Sequence, residues 1–280
     1  MFRGFYTAAT GMIAQQRQTE LLTNNMSNMN TPGFKADQSS MRAFPDMLLS
    51  SLGDAKTPFK HKQGMGNTPI VGALNTGVYM QETLPLFTQG DVRETGLATD
   101  MAIVQGTMPV NEETGKQGAV FFTVQGTDGE VRFTRNGNFT LDAQGFLTTA
   151  DGHYVLNATG SRIELESDQF KLEEDGRIIT GDRETARLGI SYSDDPQSLV
   201  HEGNGLFKAP EDAELADAFG QADQPFVIQQ GALERSNVDS ARTMTDLMSS
   251  YRAFEANQKV LQSYDRSMEK TVNEVGRVNG

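Results

Sequence analysis

Ten positions toward the C-terminus, Met244, Leu247, Tyr251, Phe254, Gln258, Leu261, Asp265, Met268, Val272 and Val275, alternate in steps of three and four. Eight of them are apolar, and Arg252, Glu255, Lys259, Arg266, Glu269 and Lys270 fall off that row. A 3.5-residue repeat held this long is the pattern of a helix in a coiled coil. Ser236-Asn237-Val238-Asp239 reads as a capping box ahead of it. A helix from Asp239 to Val275 would run roughly 55 Å at 1.5 Å per residue, too long to be buried by a small domain. It requires a partner helix.

The other end of the chain offers one. Phe5, Ala9, Met12, Gln16, Thr19, Thr23 and Met26 share the spacing, with Ile13 and Leu22 beside them, in a more polar seam. The stop lies within Asn24-Asn25-Met26-Ser27-Asn28-Met29-Asn30-Thr31-Pro32-Gly33. Asparagine tolerates a left-handed cap, Pro32 pushes Thr31 out of the helical region and Gly33 permits positive φ. Four asparagines between 24 and 30 exceed what a cap requires.

Charge divides the chain in the same places. The 280 residues carry 24 basic and 37 acidic side chains, a net of −13. Residues 1–35 hold +2 and residues 236–280 are balanced, so the span 36–235 carries −15. Nucleic acid and anionic membranes are poor partners for such a middle. Hydrophobic residues at 37%, with 28 glycines besides, match a folded protein and exclude wholesale disorder. Zero cysteines exclude disulfides, thiolate metal sites and thiol chemistry. No apolar stretch approaches the roughly 20 residues of a membrane helix, and Gln15-Gln16-Arg17 interrupts any signal-peptide core. Direct membrane insertion is not expected, nor a cleaved leader.

Between the terminal helices the texture is β. Val120–Val124, Val131–Arg135, Phe139–Leu141, Phe146–Thr148 and Tyr154–Leu156 are short β-rich runs, and Asp128-Gly129, Asn136-Gly137 and Asp151-Gly152 are tight-turn pairs. These predict an antiparallel meander. Leu188–Tyr192, Leu206–Lys208 and Phe226–Gln229 continue the β character, with a short helix expected after Asp194-Asp195-Pro196. Residues 53–77, with Pro58, Pro69 and five glycines, read as an extended linker. The expected fold is α+β, with paired N- and C-terminal coiled-coil helices flanking an antiparallel β-rich central domain. Its parts are an N-terminal assembly helix (1–35), an extended linker (36–90), a β-rich outer domain (91–235) and a C-terminal assembly helix (236–280).

Motifs for chemistry are missing. His61, His153 and His201 have no metal-ligand spacing, and the sequence holds no phosphate loop, G-x-S-x-G elbow, HExxH helix or calcium loop. The Asp-Gly pairs read as turns. No catalytic residue, cofactor or metal is assigned. An assembly role leads.

The blocks at both ends resemble the flagellar basal-body rod and hook proteins. At the N-terminus the resemblance rests on Tyr6-Thr7-Ala8-Ala9-Thr10-Gly11-Met12, then Asn24-Asn25 and Asn28, closing in Thr31-Pro32-Gly33-Phe34-Lys35. At the C-terminus it rests on Gln230-Gly231-Ala232-Leu233-Glu234, Ser236-Asn237-Val238-Asp239 and Arg252-Ala253-Phe254-Glu255-Ala256-Asn257-Gln258-Lys259. The middle adds Thr88-Gln89-Gly90, Asp100-Met101-Ala102-Ile103, Phe133-Thr134-Arg135-Asn136-Gly137 and Gly203-Asn204-Gly205-Leu206-Phe207, similar to the distal and proximal rod members. The connection Val104–Val120 is longer than the family's usual short turn. Met41-Arg42-Ala43-Phe44-Pro45 and Met80-Gln81-Glu82 look most like rod proteins of Gram-positive spore-forming bacteria.

The resemblance implies a structural subunit of the flagellar basal-body rod, exported without cleavage through the flagellar type III apparatus. It further implies stacking with itself and with other rod and hook proteins into a hollow helical drive shaft that carries torque from motor to hook. The expected self-assembly residues are Phe5, Met12, Asn24, Asn25, Asn28, Gly33, Phe34, Leu247, Tyr251, Phe254, Asn257, Gln258, Leu261, Met268 and Val272. Polar seam positions Gln16, Thr19, Gln258 and Asp265 either specify register or face solvent. The rival reading is a secreted adhesin or coiled-coil binding module with a β head.

Overall fold

The computed structural model describes residues 3–50, 70–112, 115–181, 183–210, 215–220 and 225–275. Residues 53–69 of the expected linker, and His61 with them, lie outside the described residues. In chain order the elements are helix α1 (Arg3–Ser27) and strands β1 (Asp37–Ala43), β2 (Met47–Ser50), β3 (Ile70–Leu74), β4 (Val78–Pro85), β5 (Val92–Glu94), β6 (Met101–Gln105), β7 (Ala119–Gln125) and β8 (Val131–Thr134). Then come β9 (Phe139–Leu141), β10 (Leu147–Thr149), β11 (Tyr154–Val155), β12 (Lys171–Leu172), β13 (Arg177–Thr180), β14 (Arg183–Arg187), β15 (Ile190–Ser193), β16 (Val200–Gly203), β17 (Leu206–Lys208) and β18 (Ala216–Asp217). The chain closes with β19 (Phe226–Gln230), β20 (Ala232–Glu234) and helix α2 (Ser240–Lys270). The chain forms two compact units, one of residues 1–24, 39–83 and 241–280, the other of 25–38 and 84–240.

The first unit is helical with a β ribbon. β1 pairs with β4, and β2 with β3 in antiparallel register, so residues 70–77 belong to a two-stranded ribbon rather than a plain linker. The ribbon lies along α1, where Ser39 Oγ donates to Gln18 Oε1 at 2.5 Å and Thr7 Oγ1 to the Thr76 carbonyl at 3.4 Å. The Thr10 hydroxyl fills the space that a side chain at Gly77 would need.

The second unit is built on β7, whose two faces are both covered. Val120, Phe122 and Val124 enter a large core with Phe139, Leu147, Ile163, Ile178 and Leu188, while Ala119 and Phe121 face a smaller cluster with Phe133, Leu199 and Phe207. Residues buried on both faces explain why this strand reads as a continuous apolar run. The sheet order is β16-β17-β8-β7-β11-β10-β9, and β15 pairs with the first half of β7. This corrects the expected meander. β7–β8 and β10–β11 turn at Asp128-Gly129 and Asp151-Gly152, but Asn136-Gly137 is not a hairpin, because β8 and β9 are not neighbours. At that position the Met101 N–H donates to the Gly137 carbonyl at 3.0 Å, and a Cβ on Gly137 would overlap the Met101 carbonyl. Glycine is there for close approach of another chain segment, not for the turn. The short helix after Asp195 is one 3₁₀ turn, Pro196–Ser198, capped by the Asp195 carboxylate.

The capping box is displaced as well. Ser236 Oγ accepts from the Val238 N–H at 3.3 Å, four residues before α2 begins. Asn237 bridges strand connections instead. Its Oδ1 accepts from the Ala36 N–H at 2.7 Å, and its Nδ2 donates to the Leu86 carbonyl at 2.7 Å.

Candidate assembly interface

In the helical unit the covered row of α2 is not the expected one. Thr243, Leu247, Ser250, Phe254, Asn257, Leu261, Tyr264 and Met268 are buried or half-buried, whereas Met244, Tyr251, Gln258, Asp265 and Val272 are exposed. The row through Leu247, Phe254, Leu261 and Met268 stands as expected, but its companion lies one residue earlier, at Thr243, Ser250, Asn257 and Tyr264. On α1 the inner row is likewise rotated by one residue, with Ala8 and Leu22 buried and Gly4, Gly11, Gln15 and Gln18 half-buried. Phe5 and Met12 flank that row, half-buried, and Asn24 is exposed.

Glycine is the physical reason. A Cβ on Gly11 would lie 3.1 Å from Asn257 Nδ2, and one on Gly4 would overlap the Tyr264 hydroxyl. The two glycines are seven residues apart, and so are their partners, in the opposite sense, so α1 and α2 run antiparallel where they touch. A mid-helix glycine costs about 1 kcal/mol relative to alanine, which the close approach must offset. Gly4 and Gly11 carried that signal in the sequence, and apolar periodicity alone passed over it. The polar positions Gln16, Gln258 and Asp265 are exposed, so they do not set register inside this unit; Gln16 Nε2 donates to Glu20 Oε1 at 3.0 Å.

The β-rich unit contains a second convergence. Asn25 sits at the end of α1, where its Oδ1 accepts from the Asp37 N–H at 3.0 Å and its Nδ2 donates to the Asp37 carbonyl at 2.8 Å. Asn28 Oδ1 accepts from the Thr31 hydroxyl at 3.2 Å, shaping the turn. Gly33 has φ +68°, and a Cβ there would collide with the Arg135 backbone. Its N–H donates to the Glu234 carbonyl at 2.8 Å, and Phe34 beside it is buried. The asparagine excess is therefore explained in part: Asn25 supplies both hydrogen bonds that an incoming strand needs.

Next to Gly33, Lys35 enters an ion cluster sealed from water, with 1% exposure of the Lys35, Arg135 and Glu234 side chains. Lys35 Nζ donates to Glu234 Oε1 at 2.6 Å and to the Thr88 carbonyl at 2.9 Å. Arg135 Nε donates to Glu234 Oε2 at 3.0 Å and its Nη1 to the Val120 carbonyl at 2.7 Å. The Gly90 N–H donates to Glu234 Oε1 at 3.0 Å. Burial first, and then the Arg135 charge, lower the Lys35 pKa to about 8 against the upward pull of Glu234. Burial pushes the Glu234 carboxyl up, but Arg135 and Lys35 outweigh it and hold it below the usual range. One carboxylate thus pairs with two cations and balances one of them, which makes Lys35 the surplus charge. Lys35, Arg135 and Glu234 all lie in the family-like blocks, yet no rule of spacing links residues 199 positions apart. Among the described residues, no three His, Asp or Glu side chains gather as a metal site.

Family models match three stretches: "Flagella basal body rod protein" over residues 5–35, "Flagellar hook protein FlgE/F/G D1 domain" over 117–180 and "Flagellar basal body rod FlgEFG protein C-terminal" over 229–274. The chain is 41% identical to the flagellar hook-basal body complex protein FlhO of Bacillus subtilis, covering 99% of this chain and 100% of that one. It is 31% identical to the flagellar basal-body rod protein FlgG of Borreliella burgdorferi, covering 96% and 97%. It is 28% identical to the flagellar basal-body rod protein FlgG of Bacillus subtilis, covering 98% and 99%.

Proposed function

The chain belongs to the flagellar basal-body rod family, and on that premise we propose that it polymerises through its terminal helices into a hollow helical shaft that carries torque from motor to hook. It is a structural rod subunit, located in the flagellar basal body. The adhesin reading has no support. The observation that carries the function is end-to-end correspondence with FlhO over both whole lengths. A binding module sharing only a helix or a β head would align in part.

Four parts divide the work in this reading. The helices of 1–35 and 236–280 make the polymer contacts, residues 38–90 of the extended segment 36–90 lock neighbouring copies, and the body of 91–235 is the outer layer. Coiled-coil packing of α1 with α2 is supported by the heptad spacing of both helices and by the glycine contacts at Gly4 and Gly11. Heterologous contacts that do not close generate an open helical assembly. The chain's −13 charge keeps subunits apart until specific contacts form. Export through the flagellar type III apparatus and contact with other rod and hook proteins complete the proposal.

Deletion of the coding gene from a flagellated cell, with basal bodies then imaged by electron microscopy, tests the reading. Rods should be missing or truncated, and the full-length chain should restore them where residues 1–239 do not. Normal basal bodies in the deletion strain would end the proposal.

A further inference from the structure

The one-residue rotation of the covered rows leaves a second apolar stripe on each helix. On α2, Met244 and Tyr251 are each 53% exposed, with Met248 between them. On α1, Tyr6 is 62% and Ile13 50% exposed. At 3.6 residues per turn, Tyr6 and Ile13 lie roughly 200° round from Gly4 and Gly11, the side that meets α2, and Thr10, half-buried where it meets Gly77 of the ribbon, borders the same stripe. Both stripes repeat at seven residues, the spacing that lets two helices interlock.

We infer that Tyr6 and Ile13 of one copy dock antiparallel on the Met244–Tyr251 stripe of α2 in a second copy, Ile13 beside Met244 and Tyr6 beside Tyr251. The inference rests on the rod-subunit reading and specifies its contact. Copies related by rotation about, and translation along, a common axis keep the direction of axial helices. A neighbour's α1 therefore runs against α2 as the chain's own α1 does. Charge agrees with this direction. Arg3, one turn before Tyr6, falls opposite Glu255, one turn beyond Tyr251. Arg17, one turn past Ile13, falls opposite Asp239, just ahead of α2. The same two helices thus meet twice: through glycines inside a chain, and through large apolar side chains between chains. The second contact is heterologous and leaves an unfilled stripe at each end of the growing assembly, which is what continued growth needs.

The chain has no cysteine, so engineered thiols report without background. Four single variants suffice: Tyr6→Cys, Ile13→Cys, Met244→Cys and Tyr251→Cys, all at exposed positions. Pairs of variants are co-expressed in cells that depend on this chain, basal bodies are isolated and oxidised, and dimers of twice 30.6 kDa are read on non-reducing gels. Because each chain carries one thiol, a mixed disulfide can arise only between copies. Ile13→Cys with Met244→Cys, and Tyr6→Cys with Tyr251→Cys, should give dimers at least five-fold above the crossed pairings, Ile13→Cys with Tyr251→Cys and Tyr6→Cys with Met244→Cys. Rods that form with equal yields, with the crossed pairs dominant, or with no dimers overturn the docking and leave the rod-subunit reading standing. Failure of the cysteine-free chain to enter basal bodies overturns both.

Discussion

Replacing Glu234 by glutamine keeps the shape of the ion cluster and removes its only anion. Two cations then remain in a site with 1% exposure, one held at the Thr88 carbonyl and the other at the Val120 carbonyl. Breaking a buried ion pair from one side typically costs 3–5 kcal/mol, roughly the range expected here. Releasing the Lys35 proton at pH 7 sets the ceiling, about 5 kcal/mol from an unfolded pKa near 10.5. Lys35→Met removes the surplus cation and leaves the Arg135–Glu234 pair whole, so its effect should stay within about 1 kcal/mol at pH 7. The two variants also differ in pH dependence. In the folded wild type Lys35 titrates near 8 against 10.5 unfolded, so the unfolded chain holds the extra proton between those values. Stability therefore rises as pH increases from 8 to 10.5, by an amount on the order of 3 kcal/mol, and the full cost is present below pH 8. Lys35→Met should abolish that rise. Urea unfolding followed by far-UV circular dichroism at pH 7, 8.5 and 10 measures both effects. A loss under about 1 kcal/mol for Glu234→Gln at pH 7, or an equal loss for Lys35→Met, would refute the view that the carboxylate holds this joint together.

Gly33→Ala should lower stability by about 2 kcal/mol or more, because φ is +68° and the added methyl meets the Arg135 backbone; thermal unfolding checks it. Phe121→Ala, emptying a site between Phe87 and Phe207, should cost roughly 3–5 kcal/mol in the same assay. Asn25→Ala leaves the backbone N–H and carbonyl of Asp37 without their partners, and should cost about 1–3 kcal/mol and speed proteolytic cleavage near residues 28–37. Deletion of residues 53–77 should leave a soluble β body but abolish rod assembly, and normal motility on soft agar would exclude a locking role for that segment.

What could be read from residue order was local or periodic. Both terminal helices follow from apolar steps of three and four, and the end of α1 follows from asparagine, proline and glycine chemistry. Phe139–Leu141 and Leu206–Lys208 form strands at the expected bounds, and the Asp-Gly turns fall where tight turns must. The family-like blocks, continuous along the chain, carried the function. Tertiary structure decided what no local rule reaches. Periodicity ranks positions by hydrophobicity, but the covered face of α1 is chosen by how closely a backbone can approach, so Gly4 and Gly11 turn inward and Tyr6 and Ile13 outward. Asn136-Gly137 has the composition of a hairpin, and only the passage of Met101 across it shows why glycine is needed. Lys35, Arg135 and Glu234 look like surface charges along the chain. They become a sealed joint because folding brings three distant segments to one point, where each charge survives burial only through the others.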